Sequence, residues 1–118
     1  MSETMSPPAG RIAWFELPAH DTRRAQDFYG RLFGWRFEPS QGPIEYHMAT
    51  DAGGAIMPST GTEGPVVYFG VDDIESSMER VKELGGRVVG EPQAVPNVGA
   101  YVQCLDTEQN SFSLWQAA

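Results

Sequence analysis

Few residues in this sequence can hold a metal ion or move a proton. Glu16, His20, Glu45 and His47 are the candidate metal-holding side chains of the first half. Imidazole and carboxylate are the donors from which open divalent-metal sites are built. His20 reads as a residue of a strand-to-helix turn, serving as a second cap or solvated. His47, between Tyr46 and Met48, reads as a hydrogen-bonded strand histidine. If it faces the side of Glu16 it lines a cleft instead, and the two together make a displaced metal site. Glu16 alone is a candidate general base, given an apolar surround. A second set is aromatic: Trp14, Tyr68, Tyr101 and Trp115, with Glu16, Gln103 and Ser113 as polar handles. Apolar walls carrying a few placed polar groups are how small ligands are held. Aromatic faces beside an acidic surface suit a flat cation.

Other chemistries are excluded by what is missing. The single cysteine, Cys104, forms no internal disulfide and no thiolate cluster within one chain. Its neighbours Val102 and Leu105 mark it as a buried small hydrophobe. No glycine-rich phosphate loop precedes Lys-Ser or Lys-Thr, no serine sits in a nucleophile elbow, and no dinucleotide fingerprint opens a helix. Ser76 and Ser77 read as surface positions of a helix. A net charge of −8, from sixteen acidic and eight basic residues, is the wrong sign for a nucleic-acid surface. No apolar run reaches membrane-spanning length, and residues 1–10 lack the blocks of a signal peptide, reading as a flexible leader. A cytoplasmic protein is expected.

The elements that must position these residues come in two copies. Trp-Phe-Glu-Leu-Pro-Ala-His-Asp from Trp14 is echoed by Val-Val-Tyr-Phe-Gly-Val-Asp-Asp from Val66, at an offset of 52 residues. The same offset lays Leu17 on Phe69, Asp21 on Asp73, Tyr29 on Val81, Leu32 on Leu84 and Gly34 on Gly86. Such a period marks a duplicated structural unit. In the first copy Ile12–Pro18 alternates as a strand, and Asp21 caps a helix whose stripe is Ala25, Phe28, Tyr29, Leu32 and Phe33, closed by Gly34. Short strands follow near Trp35–Glu38, Tyr46–Thr50 and Gly54–Met57, with a loop over Pro58–Gly64. In the second copy Val66–Val71 is the strand, and Asp72 with Glu75 can form a capping box for a helix with Ile74, Met78, Val81 and Leu84 inward, ended by Gly85-Gly86. Strands follow at Arg87–Gly90, Ala100–Leu105 and Phe112–Gln116. Alternation puts Phe15, Leu17, Val67, Phe69, Val71, Phe112 and Leu114 under the helices. Trp14, Glu16, Val66, Tyr68, Ser113 and Trp115 take the opposite face.

This layout resembles the vicinal oxygen chelate superfamily of glyoxalases, bleomycin-resistance proteins and extradiol dioxygenases. The strings that carry the resemblance are Asp21–Trp35, Val71-Asp72-Asp73-Ile74, Glu83-Leu84-Gly85-Gly86 and Asp106–Leu114, and it covers roughly residues 11–116. It implies an α+β fold: two tandem βαβββ units (about 11–60 and 65–116) in one domain, 11–118. They form a half-open eight-stranded sheet around a concave cleft, with the helices on the outer face. Superfamily enzymes place metal ligands at four pseudo-symmetric positions, which here fall on Trp14, about Ile56, Val66 and Ser113. None of the first three can donate to a metal and serine is a poor ligand, so no metal and no other cofactor is expected. The family's Asp-Pro-Glu-Gly-Asn turn reads Asp-Thr-Glu-Gln-Asn here, with Gln109 where glycine would take positive φ easily.

Together these features predict metal-independent binding of a small aromatic or cationic molecule in the cleft. Its ligand-binding residues are Trp14, Glu16, His47, Tyr68, Tyr101, Gln103, Ser113 and Trp115. The alternative is a lyase, isomerase or dioxygenase-type enzyme with a relocated or absent metal and Glu16 as its base; whether any reaction is catalysed stays open. A homodimer is expected, because short strands in a half-open sheet leave edges to be covered. Neither nucleic acid nor a membrane is an expected partner.

Overall fold

A computed structural model describes residues 9–61 and 64–118. Most of the expected leader, residues 1–8, and positions 62 and 63 of the expected loop lie outside the described residues. Among the described residues, eight strands and two helices run in the order β1 (Ile12–Ala19), α1 (Thr22–Phe33), β2 (Glu38–Pro39), β3 (His47–Ala49), β4 (Gly54–Pro58), β5 (Val66–Gly70), α2 (Ile74–Glu83), β6 (Arg87–Val95), β7 (Gly99–Leu105) and β8 (Ser111–Ala117). This is the expected α+β plan, βαβββ written twice. The chain divides into two compact units. One is Trp14–Val66; the other joins residues 9–13 to Val67–Ala118.

In the first unit the strand order is β2-β3-β4-β1, with β1 parallel to β4 and the other pairs antiparallel. The second unit repeats the connectivity as β6-β7-β8-β5, with β5 parallel to β8. Its β5 also meets the chain entrance, where Gly10 N donates to Gly70 O and Gly70 N to Arg11 O. Duplication therefore extends from sequence to hydrogen-bond topology.

Both helices begin on an aspartate. Asp21 accepts from Arg24 N at 3.0 Å and Asp73 from Glu75 N at 3.1 Å, each satisfying an orphan N–H of the first turn. The second cap is thus Asp73 rather than Asp72, as the offset from Asp21 itself implies. Gly34 closes α1 in the left-handed conformation, φ 80°, its N–H donating to Gly30 O. β6 runs past the expected Gly90 to Val95. Gly90 takes φ 85°, and the register with β7 shifts between Val89 and Gln93 there, so the glycine absorbs a bulge and the strand resumes.

The second unit's core is Ile74, Val102, Cys104 and Leu114, packed by Val71, Met78, Val81, Val88 and Phe112. Here the expected helix-facing set meets Ile74, Met78 and Val81 of the expected α2 stripe, whereas Leu84, the residue that caps the helix's C-terminus, is 63% exposed. In the first unit α1 is turned relative to its expected stripe. Thr22, Ala25, Gln26, Tyr29 and Gly30 are half-buried, whereas Phe28, Leu32 and Phe33 are 56%, 57% and 60% exposed. The cause is Trp35. Its carbonyl lies against Gly30, where a Cβ would come within 3.3 Å, and its indole stacks on Tyr29 with ring centroids 5.1 Å apart. Phe33 and Phe15 lean on the same indole at 5.4 and 5.9 Å. The helix exit is thereby filled from its own C-terminal side.

Candidate functional site

On β1 the alternation holds. Register pairs Glu16 with Ala55, and Ala55 in turn with Met48, so these three share one face of the first unit's sheet. Leu17, Ile56 and His47 share the other face. His47 therefore lies on the face opposite Glu16, and the condition for its lining a cleft with Glu16, or sharing a metal with it, is not met. The reason is one of register. β3 pairs antiparallel with β4 at His47↔Ile56, which turns Tyr46 and Met48 toward Glu16 instead.

Tyr46 is the residue that sequence reasoning passed over. Trp14 Nε1 donates to its hydroxyl at 2.8 Å, and that hydroxyl donates to Glu16 Oε2 at 2.7 Å. All three side chains are half-buried. Indole N–H is a donor only, so the phenol's own proton must go to the carboxylate. To make this bond Tyr46 reaches from the start of β3 across β4 to β1. The register puts Ala55, a small side chain, on the strand it crosses. The signal in the sequence was the alternation through Tyr46-His47-Met48; what it lacked was the pairing that assigns a face.

His47 enters a different cluster. Its Nε2 and the Thr22 hydroxyl both meet Glu45 Oε2, at 2.8 and 2.6 Å. The Thr22 hydrogen bond, and then that of His47, hold the Glu45 carboxyl below its ordinary value of 4.5. Glu45 is then ionised near neutrality and accepts only, so His47 carries its hydrogen on Nε2. The cluster ties β3 to the first turn of α1, consistent with a hydrogen-bonded strand histidine. His20 is exposed in the β1–α1 turn.

The second unit gathers the remaining residues. Tyr68 pairs with Ser113, Ser113 with Gln103, and Tyr101 with Trp115, placing all five on the face away from the α2 core. Tyr68 and Tyr101 meet edge to face at 5.9 Å. Ser113 is 2% exposed. Gln103 Nε2 donates to Ser111 Oγ at 3.1 Å. A Cβ on Gly99 would meet the Trp115 ring at 2.7 Å, so the indole lies over the bare α-carbon of β7. Cys104, on the core side, is fully buried, and burial pushes its thiol upward, as suits an inert packing residue.

The four inherited ligand places do not fit a metal. Trp14 is committed to Tyr46, Val66 has no donor, and Ser113 offers one hydroxyl. Ile56 lies on the helix-side face with Leu17, while its neighbours Ala55 and Met57 share the side of Glu16. Among the described residues, no three of His, Cys, Asp or Glu converge to hold an ion.

The frame that carries these faces is shared with known proteins. The glyoxalase-like domain model matches residues 14–115. A glyoxylase-like domain-containing protein of Didymella fabae is 31% identical over 118 residues, covering 89% of this chain and 92% of that one. The anthracycline biosynthesis protein DnrV of Streptomyces peucetius is 30% identical over 115 residues, 89% of this chain but 41% of its own length. The chain thus spans less than half of that relative. Among solved structures, a methylmalonyl-CoA epimerase variant of Streptomyces coelicolor superimposes with a TM-score of 0.69 at 18% identity, covering 94% of this chain and 99% of that one, a likeness of fold. With the duplicated βαβββ topology and a family match over nearly the whole chain, this protein belongs to the glyoxalase-like domain family of the vicinal oxygen chelate superfamily.

Proposed function

We propose that this glyoxalase-like protein binds a small aromatic or cationic molecule without a metal, on the sheet faces opposite its helices. The observation that carries the reading is the Trp14–Tyr46–Glu16 chain. It fixes an indole ring and a carboxylate on one face, where the superfamily's enzymes keep metal donors. A ring supplies apolar contact and a quadrupole for a cation, and the carboxylate supplies charge. The Tyr68, Tyr101 and Trp115 face of the second unit supports the same reading.

Tryptophan emission tests it. A cationic aromatic ligand is expected to quench emission saturably, and Trp115→Ala to weaken the effect in a protein that still folds. Trp35, inside the helix-side aromatic cluster, serves as control, and Trp35→Ala is expected to leave the quench largely intact. Unchanged emission across a panel of cationic aromatics, glutathione conjugates and catechols would overturn the reading.

We further propose that the protein is a homodimer. The exposed Phe28, Leu32 and Phe33 of α1 are an apolar surface of the kind that association covers. Light scattering that returned the monomer mass of 13.0 kDa at high concentration would contradict this.

A further inference from the structure

The proton inventory of the Glu16 face points to one ligand class within the binding reading, on which this inference rests. The face has two side-chain donors near Glu16, the Trp14 indole and the Tyr46 hydroxyl. Both are used inside the chain, the first on Tyr46 and the second on Glu16 Oε2. Glu16 Oε1 has no protein donor among the described residues. The side chains that share the face by register, Met48, Ala55 and Met57, bring no N–H or O–H. Glu38, opposite Met48, adds a second carboxylate. No Lys or Arg lies on β1 to β4; the unit's arginines are Arg23, Arg24 and Arg31 on α1 and Arg36 after it. Around Glu16 the face therefore offers acceptors and apolar surface; the Ser40 hydroxyl, which accepts from Gly42 N, lies just past β2 at the far edge of the face.

We infer that the ligand carries an N–H cation, a primary or secondary ammonium or an amidinium, that donates to Glu16 Oε1 while its apolar part lies on Trp14. Tyr46 is the positioning residue, because its single proton fixes which carboxylate oxygen is occupied and which is left for the ligand. A quaternary ammonium, which has charge but no N–H, satisfies the indole and leaves the carboxylate unmet. Charge-assisted hydrogen bonds are about twice as strong as neutral ones, so the two cations are separated by roughly tenfold or more in affinity.

The test compares 2-naphthylmethylammonium with its N,N,N-trimethyl analogue near neutral pH, by tryptophan quenching and calorimetry. The wild-type protein is expected to bind the N–H cation about tenfold more tightly. Glu16→Gln and Tyr46→Phe are each expected to bring the ratio toward one, with circular dichroism confirming the fold. A purely structural role for Tyr46 would weaken both probes alike and leave their ratio unchanged, which would overturn its assignment. Equal wild-type affinity for the two cations would overturn the inference while leaving the binding reading standing. If neither cation bound, the inference would fall, and the binding reading would be decided by the wider panel of cationic aromatics, glutathione conjugates and catechols.

Discussion

Gly54→Ala tests whether the first unit is built as described, because it strikes the strand pair that carries Glu16. Gly54 lies opposite Phe15 in the parallel register of β1 and β4. A Cβ there would come closer than 3.0 Å to three atoms of the Phe15 ring. Real carbon contacts begin near 3.5 Å, so the ring must swing or the strands must part. Overpacking of this kind costs about 1–3 kcal/mol. A swung ring also abandons Trp35, an aromatic pair worth about 0.5–1.5 kcal/mol. The expected destabilisation is thus about 2–4 kcal/mol, a large part of a typical stability of about 5–15 kcal/mol. Urea unfolding followed by circular dichroism measures it. The sharper assay is a double-mutant cycle with Phe15→Ala. That substitution alone is expected to cost about 2–3 kcal/mol, less than a fully buried phenylalanine because Phe15 is half-buried. In its background Gly54→Ala meets empty space and is expected to be neutral or slightly stabilising. Additivity of the two changes within about 0.5 kcal/mol would refute the reasoning, since contacting residues must couple.

Three further expectations follow from single contacts. Gln116 on β8 accepts the Ile74 N–H at 2.7 Å, a cap on α2 supplied from a distant strand, so Gln116→Ala is expected to cost about 1 kcal/mol in thermal or urea unfolding. Gln109 sits at φ 71° in the turn before β8, and Gln109→Gly is expected to raise stability by about 0.5 kcal/mol, the relief of left-handed strain less the added chain entropy. The Glu45 carboxyl is held low by Thr22 and His47, so its contribution is fully present above its ordinary value of 4.5 and is lost as pH falls through the lower folded value. The gap in urea midpoint between wild type and Glu45→Gln is therefore expected to be present near neutrality and to close in strong acid; a gap that widened in acid would reverse the assignment.

What was legible in the sequence is what depends on one strand or one turn at a time. Period-two alternation separated Trp14 and Glu16 from Phe15 and Leu17 because both faces of β1 are filled by different residue types. Asp21 and Gly34 were readable because caps are local chemistry, satisfied within three or four residues, whereas at the second helix two adjacent aspartates compete and the cap falls to Asp73 rather than the expected Asp72. Gln109 stood out because the turn needs a positive φ wherever it occurs. The inward stripe of α1 was not readable from α1 alone. Five apolar residues on one side are more than the sheet covers, and Trp35, folding back after Gly34, decides which of them meet protein.

The Glu16 face shows the same divide more sharply. Which way β3 points is a property of its pairing with β4, and a one-residue difference in register exchanges Tyr46 for His47. Residue type argued for the histidine, since imidazole is the commoner functional group. Geometry gives the face to the tyrosine, and the consequence is chemical rather than merely positional. An imidazole beside Glu16 would bring a second metal donor and a group able to take up a proton. A phenol beside Glu16 brings a neutral hydroxyl that accepts from Trp14 and donates to the carboxylate, orienting both without adding charge. The face so built keeps its negative charge and turns it outward. An acidic, aromatic surface without outward donors around Glu16 is suited to holding a cation in place, and the pairing of the ammonium probes measures whether Glu16 does so through a hydrogen bond or through charge alone.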